Sequence, residues 1–417
     1  MLPRLAVVYE NGSVNPVELA VGAAGHCELV LVCDPSSPAV ASVMPVLRET
    51  GTVVPFDPDG PLDETAARLA ELRVEGITTF SDLTIEATAV LARLLGLPFH
   101  SPGTAALLVD KHHQRAKLAT AGVPTPRHAA VRDGAGAAEA IAAVGVPAVV
   151  KPRQGAGSRN TVLVRTPDEG LRVVGELLTA GESELVLEEY LVGDPAVAGP
   201  QWGDYVSVES VVLGDRMVHI GVTGKPPLLE PFRETGALFP GDVPDGVREE
   251  LLSATGDALR ALGVTSGITH TEFKLTAEGP RLIEVNGRLG GFINDIVGRS
   301  TGLRMLRVAF DCALGRADDG LSAPVPERVA YQRFLAPPLD ATAVRSVTGA
   351  KEARSLPGVR RVEIAKRPGQ SVDWRQGTQA FAAIVYGDAP DHASLSLLWD
   401  TLDSVLTVSY DRGAGEP

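Results

Sequence analysis

The stretch LIEVNGRLGGFIND, Leu282 to Asp295, opens like a buried strand, with Leu282, Ile283 and Val285 apolar. Glu284, Asn286 and Arg288 nevertheless fall at every second position, and strand residues two apart share a face. A carboxylate, an amide and a guanidinium therefore look the same way from a strand that otherwise belongs in a core. Ionised groups are rarely buried without partners. Just upstream, ITHTEFKLTAEGP supplies the other arm of a hairpin. A loop of about five residues around TAEGP pairs Leu275 with Arg281 and Phe273 with Ile283, and it sets Glu272 opposite Glu284. Like charges that close are destabilising, so a compensating cation is expected. Hard oxygens from Glu272, Glu284 and Asn286 suit magnesium, or manganese in its place. The competing reading is a solvated acidic face with Lys274 neutralising one charge. The continuation of the polar face through Asn286 and Arg288 favours the metal. His270 falls opposite Asn286 and reads as a hydrogen-bond partner behind the ligands.

Magnesium with so few protein ligands completes its shell with water and substrate phosphates. The segment VVKPRQGAGSRN fits a phosphate binder: Lys151 ends a strand, and Gly155, Gly157 and Ser158 follow. Glycines let backbone N–H groups approach phosphate, and lysine adds charge. No Gly-Lys-Ser/Thr closes the loop, so it is not a Walker A motif.

The chain has 417 residues, enough for two or three domains, with 44% hydrophobic and 22% charged residues. A net charge of −14 opposes non-specific nucleic-acid binding, which needs a positive field. The cysteines Cys27, Cys33 and Cys312 lack zinc-ligand spacing and read as small buried hydrophobes of a reducing compartment. The start MLPRLAVVYENG carries too short an apolar run for a signal peptide, and no run reaches the ~20 residues that span a bilayer. A cytoplasmic protein without nucleic-acid or membrane partners is expected.

The first hundred residues alternate strand and helix, which predicts a parallel sheet in a Rossmann-like domain over residues 1–103. Its first strand–helix turn, YENGSVNP, lacks the spaced glycines of a dinucleotide site. One helix is expected from Ser101 to Gly122, then a second α/β pattern with a capped helix at Thr166–Glu169. Hairpins are expected within Gly199–Gly224 and at the opening stretch, with a helix over Val247–Leu262 between them. The last ninety or so residues show short strands and helices and no catalytic motif.

Lys111 in VDK, Lys151 in VVKP, GAGS, EEYL and FK…IEVNGR occur in an order and spacing that resemble the ATP-grasp superfamily. Within it, GPQWGDYVSVES and the ETG at Glu234–Gly236 resemble carboxylate–amine ligases of the L-amino-acid ligase (dipeptide synthetase) type. The resemblance implies α/β and α+β architecture: the Rossmann-like domain, a two-subdomain ATP-grasp core over 104–187 and 188–318, and a smaller α+β domain over 319–417. It implies ATP, with Lys111 and Lys151 on the phosphates and purine edge and Gly155, Gly157 and Ser158 in a mobile loop. Glu188, Glu189, Tyr190 and Leu191 would line the adenine, largely through backbone groups. Asp204 would take the ribose, with Glu209 competing for that role. Glu272, Glu284 and Asn286 would hold magnesium. Lys225, Glu234 and Arg288 would be catalytic, Arg288 also binding the reacting carboxylate. Asp82 would meet the substrate ammonium, with helix capping as its competing role. Gly290 and Gly291 would let the backbone approach the substrate, and Phe292 would limit its side chain, unless Phe292 is simply core.

The function implied is ATP-dependent joining of a small-molecule carboxylate to an amine, by a monomer or homodimer. A small-molecule kinase and a purine-biosynthesis-like ligase are the alternatives. One departure stands out: where these ligases commonly carry a histidine after ETG, this chain has Ala237. His112 and His113 read as surface residues.

Overall fold

The amino-terminal strands β1 (Arg4–Val8), β2 (Glu28–Cys33), β3 (Thr52–Pro55) and β4 (Gly76–Thr78) run parallel in the order β3-β2-β1-β4. Helices α1 (Pro16–Ala23), α2 (Pro38–Thr50), α3 (Leu62–Glu71) and α4 (Ile85–Leu95) alternate with them. Runs such as LAVV and LVLVC are apolar throughout because helices cover both faces of such a sheet. This computed structural model describes residues 2–58, 60–199, 201–317 and 320–413.

The helix expected from Ser101 onward is two helices, α5 (Pro102–Val109) and α6 (Lys111–Thr120). Asp110 breaks it: its backbone is extended and its carboxylate caps α6, accepting from His113 N–H at 3.0 Å. Asp110 also takes the Arg153 guanidinium at 2.6 Å, a partner the sequence pattern did not reveal. Lys111 therefore opens a helix instead of riding on the side of a longer one.

A four-stranded sheet follows, formed by β5 (His128–Val131), β6 (Ala148–Pro152), β7 (Val162–Val164) and β8 (Leu185–Glu189) in the order β5-β8-β6-β7. Helices α7 (Gly134–Val144) and α8 (Pro167–Thr179) pack on it. Thr166 caps α8 as expected, while Glu169 reaches back to Arg165 N–H at 2.7 Å. A single turn α9 (Pro195–Ala198) leads to β9 (Tyr205–Leu213), β10 (Arg216–Gly224), β11 (Gly236–Phe239), α10 (Asp245–Leu262), β12 (Ser266–Thr276) and β13 (Gly279–Asn286). Helices α11 (Ile293–Thr301) and α12 (Met305–Ala313) follow.

The carboxy-terminal part does not build a sheet apart. Strands β14 (Val329–Leu335), β16 (Val359–Ile364) and β17 (Ala383–Ala389) extend the larger sheet, giving eight strands in the order β13-β12-β9-β10-β11-β14-β17-β16. Only β15 (Ala341–Thr348) and β18 (Thr407–Arg412) pair separately. The boundary expected at 318/319 lies outside the described residues. One face of the eight-stranded sheet buries Val208, Val222 and Phe273 against α10. The other buries Val211, Ile220 and Ile268 with Ile296, Leu306 and Phe310 from α11 and α12, in one core with Leu5 and Leu31 of the amino-terminal sheet. Among the described residues no helix is long and apolar enough to cross a membrane.

Candidate active site

Beyond its apolar half, that second face turns polar. Register places Glu284, Glu272, Ser207 and Thr223 in one row across β13, β12, β9 and β10. Asn286, His270 and Glu209 form the next row. The carboxylates expected to oppose each other do so, but the strands reach that pairing by another route. The turn holds only Ala277 and Glu278, so Leu275 meets Pro280 and Phe273 meets Leu282. An irregularity between Glu272 and Phe273 then leaves Ile283 extra on β13, a bulge that restores the Glu272–Glu284 pair. A single loop length could not disclose that extra residue.

Cations meet these acids. Lys111 Nζ lies 3.1 Å from Glu284 Oε1 and 2.6 Å from the Gly155 carbonyl, tying the glycine loop to the hairpin. His270 Nδ1 lies 2.9 Å from Glu209 and its Nε2 lies 3.3 Å from Glu272. Burial alone would lower the imidazole pKa, but the Glu209 carboxylate overcomes it and lifts the ring to about 9. Ionised carboxylates only accept hydrogen bonds, so a ring held between two of them carries both protons. His270 in turn holds the Glu272 carboxyl below its ordinary range against the effect of burial. Glu209 is fully buried and also accepts from Ser207 Oγ and Thr223 Oγ1, which leaves Asp204 as the ribose candidate. Asp204 pairs with Lys274 at 2.5 Å, so Lys274 serves Asp204 and not the hairpin carboxylates.

Among the described residues no three His, Cys, Asp or Glu side chains gather as metal ligands. A site here therefore needs the Asn286 oxygen and oxygens brought by a ligand. Asn286 Nδ2 is anchored to the His270 carbonyl at 3.3 Å, which turns its Oδ1 toward Arg288. Two carboxylates and one amide oxygen on one face fit magnesium with an incomplete protein shell.

On the smaller sheet, Lys151 Nζ meets Glu188 Oε2 at 2.7 Å, and Arg115 Nε meets Glu188 Oε1 at 2.7 Å. Burial lowers the Lys151 pKa, and Glu188 stays ionised despite burial because both cations face it. Arg115 was missed from sequence. It follows Lys111 by four residues, one helical turn, and that spacing was the available signal. It also donates to the Ile283 carbonyl, while Gln114 donates to Val285 O at 3.0 Å and accepts from Val285 N at 2.9 Å. Helix α6 thus satisfies the free edge of β13. β8 ends at Glu189, which binds Arg127, and Tyr190 N–H still bonds the Pro147 carbonyl just before β6. His113 is exposed, but His112 is half-buried beside His128 and is not the surface residue expected.

Arg288 Nη2 meets Asp82 Oδ2 at 2.6 Å, raising the guanidinium pKa despite burial. Asp82 caps no helix, which removes the capping alternative. Its Oδ1 is buried and has no hydrogen-bond partner among the described residues. Lys225 meets Glu234 at 2.7 Å over the Tyr205 ring, and this pairing raises the lysine pKa against burial. Ala237 lies in the apolar core near Ile293 and Ile296. Gly290 makes room for protein, not ligand: a β-carbon there would fall 2.4 Å from His270 Nδ1. At Gly291 a β-carbon would meet nothing within 4 Å. Phe292 takes φ +66° and lies tilted against Phe334 and edge-on to Phe381. In the glycine loop Gly155, Gly157, Ser158 and Asn160 all have positive φ. Thr378 N–H bonds the Gly157 carbonyl at 3.0 Å, so the carboxy-terminal part reaches the loop although no motif marked it.

Residues 108–292 match the model of the ATP-grasp domain family. An uncharacterised protein, y4rH, of Sinorhizobium fredii is 28% identical over 316 residues, covering 72% of this chain and 60% of that one. Alanine–anticapsin ligase of Bacillus amyloliquefaciens is 26% identical over 254 residues, covering 57% and 54%. Human carnosine synthase 1 is 29% identical over 283 residues, covering 61% and 33%. The chain spans less than two thirds of each of these relatives. The L-amino acid ligase structure from Bacillus licheniformis superposes with a TM-score of 0.78 at 20% identity, covering 98% of this chain and 99% of that one, which shows a shared fold.

Proposed function

We propose that the protein is an ATP-dependent carboxylate–amine ligase acting on an amino acid or amino-carboxylate. The carrying observation is the Arg288–Asp82 pair beside the Glu272–Glu284 row: a carboxylate-binding guanidinium next to a metal-suited acid pair. Amino-acid ligases among the relatives support the reading.

A substrate carboxylate oxygen attacks the γ-phosphorus of ATP. The bond to the β–γ bridging oxygen breaks, ADP leaves and an acyl phosphate forms. The amine nitrogen then attacks the acyl carbon, loses a proton and expels phosphate. Magnesium bound at Glu272, Glu284 and Asn286 would offset charge on the transferring phosphoryl oxygens. Arg288 grips the carboxylate through parallel N–H donors. Asp82 Oδ1 accepts the substrate ammonium, so one residue orients Arg288 and reads the α-amino group. Lys111 and Lys151 face the phosphates, with Gly155, Gly157 and Ser158 closing over them, and Lys225, poised by Glu234, steadies the leaving phosphate. Asp204 takes the ribose. Closure excludes the water that would hydrolyse the acyl phosphate.

The test is phosphate release from ATP and magnesium with pairs of amino acids, with products weighed by mass spectrometry. The expected result is ADP, phosphate and an amide, all requiring both partners. AMP with pyrophosphate, or phosphate transfer to a single substrate, would replace the reading by adenylation or by a kinase.

A further inference from the structure

Phe292 begins α11 at φ +66° and ψ −6°, in the left-handed region. A bulky side chain rarely adopts it. The position also makes no side-chain cap bond to the helix, where serine or aspartate would. Something other than helix capping holds the ring there. Its neighbours are two phenylalanines from the carboxy-terminal part. Phe334 lies 5.1 Å from Phe292, Phe381 lies 6.5 Å from it, and the two stack on each other at 5.6 Å and 30°.

The trio borders the candidate site on two sides. Phe334 sits two residues beyond Gln332, whose side chain reaches Asp295 on α11, so both face the helix-covered side of the sheet. Phe334 N–H bonds the Thr235 carbonyl at 2.8 Å, next to the Glu234 that holds Lys225. Phe292 follows Arg288 across the open space at Gly291. Phe334 is buried, whereas Phe292 and Phe381 are only half-buried. The ring surface left open on Phe292 and Phe381 is what a bound side chain could cover.

We propose that Phe334 and Phe381 complete, with Phe292, an aromatic wall that contacts and limits an apolar side chain on the amino acid whose carboxylate Arg288 holds. This inference rests on the ligase reading for its reaction but adds specificity residues from a part of the chain without catalytic motifs. Phe381 supplies the adjustable edge, and Phe334 the backing.

Phe381→Ala and Phe381→Trp test it from opposite directions. A panel of amino acids from alanine to tryptophan is read by phosphate release, and separately by the rise in melting temperature each amino acid causes. Phe381→Ala should shift the kcat/KM ratio toward bulky side chains by about tenfold or more, and Phe381→Trp should shift it toward small ones. A structural role moves stability without moving the ranking in opposite senses. If the alanine variant does not fold, the tryptophan variant decides. An unchanged ranking in both readouts overturns the wall. No release by the wild type, with melting shifts whose order inverts between the variants, overturns the ligase reading and leaves the wall standing. Neither release nor shift from any amino acid overturns both.

Discussion

Along β9 and β12 the two halves of one sheet face are equally buried and differently used. Val211 and Ile268 lie in the core with α11 and α12, while Glu209 and His270, two residues further along the same strands, lie under the turn at Gly290. Glu209 and Val211 are both 0% exposed. Burial therefore does not separate the core from the candidate site; partners do. Every charge in the polar half is met by another, as in the Glu209–His270–Glu272 array and the Lys111–Glu284 pair. Such arrangements contribute little net stability, since desolvation offsets their attraction. Removing one partner strands the other unless it keeps a second contact, so polar-half substitutions that leave such a contact should cost mainly rate, and those in the apolar half should cost stability.

The largest effect should come from Glu284→Gln. It keeps the side-chain shape, relieves the like charge opposite Glu272 and leaves Lys111 its bond to the Gly155 carbonyl. Turnover should fall about a hundredfold to a thousandfold, with the melting temperature little changed. Glu272→Gln should act similarly. Near-normal rates across a magnesium titration for both variants would remove the metal from this row. Arg288→Lys comes next: lysine keeps the charge but not the planar two-point grip. kcat/KM should drop roughly 100-fold, on the order of 3 kcal/mol. Nearly full activity would make the Asp82 ion pair structural.

These expectations show how far the sequence reached. The polar face was legible because period two survives in EVNGR, and the Glu272–Glu284 pairing was correct despite a wrong register at the turn. Two errors cancelled there: a tighter turn shifted the pairing, and a bulge at Ile283 shifted it back. Helix α6 was less legible. His112 and His113 read as surface residues, yet Arg115 two residues further on is fully buried because it satisfies Glu188 and the β13 edge at once. The roles of Phe334, Phe381 and Thr378 depend on contacts between segments far apart in the chain, and no local pattern records those.

Asp82→Asn should have a smaller effect. It preserves size but weakens both the hold on Arg288 and any ammonium contact at Oδ1. The apparent KM for amino substrates should rise about tenfold, near 1.4 kcal/mol, with the KM for ATP unchanged. An equal rise for carboxylates lacking an amino group would limit Asp82 to orienting Arg288. The apolar half supplies the contrast through Ile268→Val, which should cost about 1 kcal/mol of stability and leave both KM values alone. A change in substrate affinity there would erase the boundary between the halves.

Among the substitutions expected to alter kinetics, the smallest effect belongs to Gly377→Ala, and it asks whether the carboxy-terminal part governs the glycine loop. Gly377 has φ +64°, and a β-carbon there would fall 1.9 Å from the Gly157 carbonyl oxygen. The neighbouring Thr378 N–H holds that same carbonyl. In Gly377→Ala the added β-carbon would meet a backbone oxygen, not a flexible side chain, so the loop and the segment Trp374–Ala380 must separate. The ion pair of Arg159 with Glu182 still anchors the far side of the loop. Separation should therefore loosen the loop without freeing it, raising the KM for ATP about threefold, well under 1.4 kcal/mol. Limited proteolysis should cut the variant faster between Gly155 and Asn160, and ATP should slow that cutting. A raised KM with unchanged proteolysis would point to displacement of Phe381 instead, and the amino-acid ranking would then move with it. Unchanged proteolysis together with an unchanged KM would show that the Gly157–Thr378 contact does not restrain the loop.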